Sequence, residues 1–278
     1  MSSQSPVTYP SVAPVGVDIS RASIARVYDA FLGGKDNFEI DRQVFENVKK
    51  VAPGAAELAL ANRDFLIRAA RFLVQKAGIR QFLDLGSGLP TAENTHQVVQ
   101  RIAPAARVVY VDNDPMVLAH ARALLEDNPD TSIVTADIFR PLEVLGHNII
   151  RDELDFDSPV ALFQIGTLHH YLGDDTAALM QTYIDALAPG SYVAICHFHD
   201  PEVPELTELA EQMEDKFIHS PMGSGRFRTL PEIEAMFGDL EMVPPGLVAA
   251  DDWWPTGPHL EPLSPVRRCV LAGVGRKK

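Results

Sequence analysis

Cysteine is nearly absent from this chain: two residues in 278, Cys196 and Cys269, each inside an apolar run. Neither a disulfide framework nor a metal-ligand spacing can be built from them, and a reducing cytoplasm is the default setting. Positive charge is also scarce, with 24 Lys and Arg against 38 Asp and Glu and a formal net charge of -14. A grip on nucleic acid needs basic side chains to neutralise phosphates, so no nucleic-acid partner is expected, and an anionic membrane is disfavoured likewise. The one basic stretch, Arg63, Arg68, Arg71, Lys76 and Arg80, reads as a solvated helix face, with Asp64 and Arg68 spaced as an i,i+4 pair. No apolar run is long enough to span a bilayer. The opening Met1-Ser2-Ser3-Gln4-Ser5-Pro6 lacks the basic-then-apolar pattern of a secretory signal.

What is present is a 46% hydrophobic chain, enough for one elaborated α/β domain. Residues 1–17 are rich in Pro, Ser and Val without periodicity and read as a flexible tail. Helices follow across 18–78: Ile24, Val27, Tyr28 and Phe31 fall at i, i+3, i+4, i+7 before Gly33-Gly34, a second helix fits 41–51, and a third fits 55–77. From 79 to 278 strands alternate with helices. Strands are expected at 81–85, 107–111, 132–135, 160–165 and 192–198, with helices at 91–102, 115–126, 141–145 and 175–188. That β-α-β repetition predicts a doubly wound parallel sheet. Helices at 204–217 and 230–237 lead to two final strands, at 240–243 with 247–248 and at 266–274. No helical pattern separates these two, so an antiparallel pairing is expected.

Ligands of such a sheet bind at the carboxyl ends of its strands. The first end is Asp84-Leu85-Gly86-Ser87-Gly88, a carboxylate directly before a glycine turn. Asp84 would repel a pyrophosphate and attract a cation. A ligand carrying an ammonium and a sulfonium, S-adenosylmethionine, suits that charge, and S-adenosylhomocysteine would be the product. The nicotinamide alternative also lacks its third glycine, where this chain has Thr91 after Pro90. The second end is Asp112-Asn113-Asp114-Pro115, with Asp112 assigned to ribose hydroxyls and Asp114 to a helix cap. The third, Ala136-Asp137-Ile138, offers a carboxylate and an apolar face to adenine. The fourth places Gln164 at a strand end before the loop Leu168-His169-His170-Tyr171.

With these residues goes an unusual string, Arg26-Val27-Tyr28-Asp29-Ala30-Phe31-Leu32-Gly33-Gly34-Lys35-Asp36-Asn37-Phe38, continued in Asn62-Arg63-Asp64-Phe65, Gly246-Leu247-Val248 and Gly273-Val274-Gly275-Arg276-Lys277. Carrying it, the chain resembles class I SAM-dependent methyltransferases and, more narrowly, an actinobacterial S-adenosyl methyltransferase family long known only as a domain of unknown function. The resemblance implies a Rossmann-like α/β fold with a mostly parallel seven-stranded sheet, one strand antiparallel, and SAM as cofactor. It implies no particular acceptor.

Methyl transfer to a small-molecule nucleophile is the expected activity, with no metal. The turn at Gly33, Gly34, Lys35 and Asn37, together with Tyr28, is expected to close over the cofactor as a lid. His169 is the candidate for acid–base work, and His170, Tyr171, His197 and Trp253 are candidates for the acceptor pocket, though His197, beside a strand core, also reads as structural. The Asn-Pro-Pro-Tyr signature of many amino-group methyltransferases is absent after the fourth strand. The rival reading is a non-catalytic SAM-binding regulatory module.

Overall fold

A computed structural model describes residues 16–90, 93–125, 127–258 and 261–278. Most of the expected tail, and Thr91 and Glu126 at two expected helix ends, therefore lie outside the described residues.

Helix α1 (Ile24–Phe31) starts where Ser23 accepts the backbone N–H of Arg26, and α2 (Glu39–Val51) and α3 (Ala56–Gln75) follow. The signature string holds these helices in place. Arg26 donates from Nε to Asp41 at 2.8 Å, with both side chains buried, and Asp41 also accepts the backbone N–H groups of Ser23 and Phe38. Asp29 accepts from the backbone N–H of Asp36 at 2.8 Å and from Nδ2 of Asn37 at 2.7 Å. Gly34 sits so close to this carboxylate that a Cβ there would collide with it. Gly34→Ala should therefore lower stability by roughly 1–3 kcal/mol, the usual range for forced overpacking, measured as a shift of the urea midpoint at constant slope.

The sheet has strands β1 (Gln81–Leu85), β2 (Arg107–Asp112), β3 (Thr131–Thr135), β4 (Ala161–Ile165), β5 (Tyr192–Phe198), β6 (Glu241–Met242), β7 (Val248–Ala249) and β8 (Val270–Arg276). Their order is β3-β2-β1-β4-β5-β8-β6, with β7 also on β8. The first five pair in parallel, and β8 runs antiparallel to β5, β6 and β7. Eight strands appear among the described residues where seven were expected, because the expected edge strand is split. Pro244 and Pro245 have no N–H to give the ladder, so β6 pairs at Gly275 and Arg276 and β7 resumes at Leu271 and Ala272.

The last strand begins later than its apolar run suggested. Ser264 caps a short helix at Pro265–Arg268, and only from Val270 does the backbone extend. A helix at Asn148–Glu153 was not expected at all.

Strand alternation divides the core between two faces. Phe82, Val108, Phe163 and Cys196 face α3, whose Leu58, Phe65 and Leu73 pack on them together with α1 and α2 residues. Leu83, Val109, Leu162 and Ile195 face the opposite side. The basic stretch of α3 also differs from expectation. Arg68 does not pair with Asp64 but donates to the carbonyls of Trp253 (2.9 Å) and Ala250 (2.7 Å), and Arg80 donates to Val74 and Ile79. These side chains tie the C-terminal loop and the helix end.

Candidate functional site

The same alternation puts Asp84 and Asp112, at the ends of adjacent strands, on the face covered by α1 and α3. They border a cavity of about 480 Å³ at the carboxyl edge of the sheet. Asp84 accepts from Thr95 Oγ1 at 2.6 Å through Oδ2, and its Oδ1 holds no hydrogen bond among the described residues. Burial, with Asp112 nearby, raises its pKa to about 6 against the hydrogen bond from Thr95 and the charge of Arg63. Asp112 is fixed from two sides, accepting the backbone N–H of Gly88 and of Asp114, each at 2.9 Å. Burial raises its pKa too, opposed by those same N–H groups. Asp114 accepts the backbone N–H of Met116 at 2.8 Å and so caps the helix Pro115–Leu125.

The turn between β1 and the next helix is shaped by Gly86, which has φ +77° and whose N–H reaches Val111 O across the β2 end. A Cβ at Gly86 would press on Thr167 Cγ2 at 2.5 Å, so the turn closes against the β4 loop only as glycine.

Of the residues expected at the site, Tyr28, Asp84, Gly86, Ser87, Gly88, Asp112, Asn113, Ala136, Asp137, Ile138 and His170 line this one cavity. The others lie elsewhere. Gln164 is buried on the opposite face, where its Oε1 accepts from Thr167 and its Nε2 has no partner among the described residues. His169 is buried and stacked on Phe198, with ring centroids 3.6 Å apart and planes 7° from parallel, and burial holds its pKa well below the usual value. His197 is buried between Phe198 O, 2.6 Å from its Nδ1, and Arg228, 3.0 Å from its Nε2. Trp253 is enclosed by Phe65 and Phe72 in the core, and Tyr171 donates to Asp175 at 2.5 Å beyond the cavity lining. Gly33, Gly34, Lys35 and Asn37 are also outside the lining, and Asn37 is held by Asp29. The N-terminal segment instead roofs the cavity with Ser23, Ile24 and Tyr28, whose hydroxyl donates to Ala59 O at 2.9 Å.

Sequence reasoning missed Asn62, Arg63, Leu66 and Thr167 as cavity residues. Asn62 had a signal: it is the one amide on a stripe of Leu58, Ala59, Phe65, Leu66 and Ala69, where a polar group needs a reason. His170 sits half-buried at the rim, with Nδ1 2.9 Å from Ser224 Oγ, and burial pushes its pKa down to about 3.

The S-adenosyl methyltransferase family matches residues 11–278. A candidate methyltransferase from Thermobifida fusca YX is 47% identical over 97% of this chain and 100% of its own, with a TM-score of 0.89. A DUF574 family protein from Streptomyces avermitilis is 34% identical over 94% of this chain and 99% of its own, with a TM-score of 0.87. An O-methyltransferase family protein from Burkholderia thailandensis, 14% identical over 80% of this chain and 57% of its own, shares the fold with a TM-score of 0.51. No curated protein matches the sequence. With a family match over nearly its whole length, the chain belongs to the S-adenosyl methyltransferase family, whose cofactor is S-adenosylmethionine.

Proposed function

We propose that the protein transfers a methyl group from S-adenosylmethionine to a small-molecule acceptor in this cavity. The observation that carries the reading is the pair Asp84 and Asp112, projected by neighbouring strands into one enclosed space beside a glycine turn that a Cβ would block. The residues fit the cofactor: Asp84 keeps an oxygen free among the described residues, as an ammonium would require, and an acid-rich wall favours a sulfonium.

When bound, S-adenosylmethionine supplies an electrophilic methyl group on a positively charged sulfur. Asp84 and the Gly86-Ser87-Gly88 backbone would hold its methionine end. Asp112, already oriented by two backbone N–H groups, has lone pairs left for ribose hydroxyls. Asp137 and Ile138 would meet the adenine. The start of α1, anchored through Tyr28, is the part of the N-terminal helices placed to exclude water. His170, held neutral by burial, stands at the rim with Nδ1 tied to Ser224 Oγ and would orient an acceptor there by hydrogen bonding rather than carry its proton. Two buried thiols, with no helix among the described residues long and apolar enough to cross a membrane, fit a cytoplasmic enzyme.

Calorimetry with S-adenosylmethionine against NAD tests the cofactor, and labelled S-adenosylmethionine with a fractionated metabolite extract tests transfer. Micromolar binding of the first and a labelled product are expected, about -8 kcal/mol for a 1 μM Kd. Binding with no transfer to any fraction would favour a non-catalytic module, and no heat would end the reading.

A further inference from the structure

A second, smaller recess adjoins the cofactor cavity, and Ile24, Tyr28, Asn62 and His170 line both. The rest of its wall is almost entirely apolar, with Val27, Phe31, Leu58, Phe198, Phe217 and Met222. No Asp, Glu, Lys or Arg lines it among the described residues. Its two histidines, His169 and His170, are kept neutral by burial, so the recess carries no charge at neutral pH.

At the junction of the two spaces stands Asn62, 2% exposed. Its Oδ1 has no hydrogen-bond partner among the described residues, and its Nδ2 lies against Gly166, where a Cβ would come within 3.1 Å. A buried amide oxygen left without a donor is unfavourable, and a ligand that brings one removes the penalty.

We propose that this recess is the acceptor subsite, and that the acceptor is a small uncharged molecule donating a hydroxyl or amine hydrogen to Asn62 Oδ1. The inference rests on the methyltransferase reading and adds the acceptor's chemistry to it. A carboxylate or phosphate at the junction would bring no hydrogen to Asn62 Oδ1 and would set a second acceptor against it, beside a recess with no positive side chain among the described residues. The recess, about 30 Å³, has room for only a water- to methyl-sized group. It therefore takes the apolar end of the acceptor, and the rest lies across the Tyr28–His170 junction. That places the donor group at the boundary with the cofactor cavity, where a nucleophile has to be.

The test uses the full chain saturated with S-adenosylhomocysteine, titrated calorimetrically with phenol, aniline and benzoate. These probes share one ring and differ in hydroxyl, amine and charge. Phenol or aniline should bind at least about tenfold tighter than benzoate, and which of the two wins identifies the donor. Ala59→Leu, at a residue that lines the recess and not the cofactor cavity, should weaken the preferred probe by at least about tenfold while S-adenosylhomocysteine binds within about twofold of the parent. Met222→Ala, in a loop, widens the recess and should favour 4-methylphenol over phenol relative to the parent. The proposal is overturned if benzoate binds as well as the neutral probes. It is equally overturned if neither neutral probe binds, or if both substitutions leave probe binding unchanged, while S-adenosylhomocysteine is bound. Failure of S-adenosylhomocysteine to bind at all would overturn the cofactor reading instead.

Discussion

Asp84→Asn should weaken S-adenosylmethionine binding by about 10- to 100-fold at pH 8, the loss expected when one charge-assisted hydrogen bond of about 1.5–3 kcal/mol is removed. The pH dependence separates this from a general disturbance. Burial raises the Asp84 carboxyl to about 6 in the free protein, and a bound cation selects its ionised form. Affinity of the parent should therefore hold steady above about pH 6.5 and fall by up to about tenfold per unit below pH 6, whereas the variant should show no such inflection. Stability should move the other way. The folded carboxyl, at about 6, holds its proton more tightly than a free aspartate side chain, at about 3.8, so ionisation opposes folding. The stability this group gives is present below about 3.8 and lost as pH rises toward 6. Without ligand, Asp84→Asn should then be as stable as the parent or more so at pH 8, since the amide keeps the Thr95 contact and removes a buried charge. A variant that loses stability and binds normally would show Asp84 to be structural.

Much of this was legible from the chain because strand ends are local. The turn residues Asp84, Gly86, Gly88, Asp112 and Asp114 announce themselves through glycine, proline and capping chemistry, and the β1 and β5 boundaries fall where the sequence pattern put them. What the chain concealed is set by packing between distant segments. Strand parity decides that Gln164 faces away from the cavity although it precedes a cavity loop, and nothing in its neighbours reveals the face. The adjacent pair His169-His170 is split in the same way: one ring is stacked into the core on Phe198 and the other reaches the rim. Trp253, a candidate for the acceptor pocket, is in the core instead, because α3 lies over its loop and Arg68 fixes it there. The density of polar residues in the N-terminal string suggested a lid. In the fold Asp29, Asp36 and Asn37 bond one another and leave the roof to Ser23, Ile24 and Tyr28.

Arg228→Met should lower stability by about 3 kcal/mol and the melting temperature by roughly 6–12 °C. Arg228 is 3% exposed, and no carboxylate lies within ion-pair distance of its guanidinium among the described residues. It donates instead to the carbonyls of Leu168 (3.3 Å), Tyr171 (2.7 Å) and Gly173 (3.1 Å), and to Nε2 of His197 (3.0 Å). One side chain thus closes the loop that carries His170 to the cavity and sets the His197 tautomer. With Nε2 accepting, the ring proton belongs on Nδ1, which faces Phe198 O at 2.6 Å. Removing the guanidinium leaves the part-buried carbonyls of Tyr171 and Gly173 and a buried ring nitrogen without this donor, while Leu168 O keeps the N–H of Tyr171, and methionine fills the space but supplies none. Arg228→Lys should recover part of the loss, since an ammonium keeps the charge but cannot span acceptors arranged around a planar fork. Nitrogen NMR of His197 gives a second readout, in which the Nδ1–H form dominates in the parent and loses its preference in Arg228→Met. Equal stability of the parent and the methionine variant, with the tautomer unchanged, would show that the loop is held by its backbone alone.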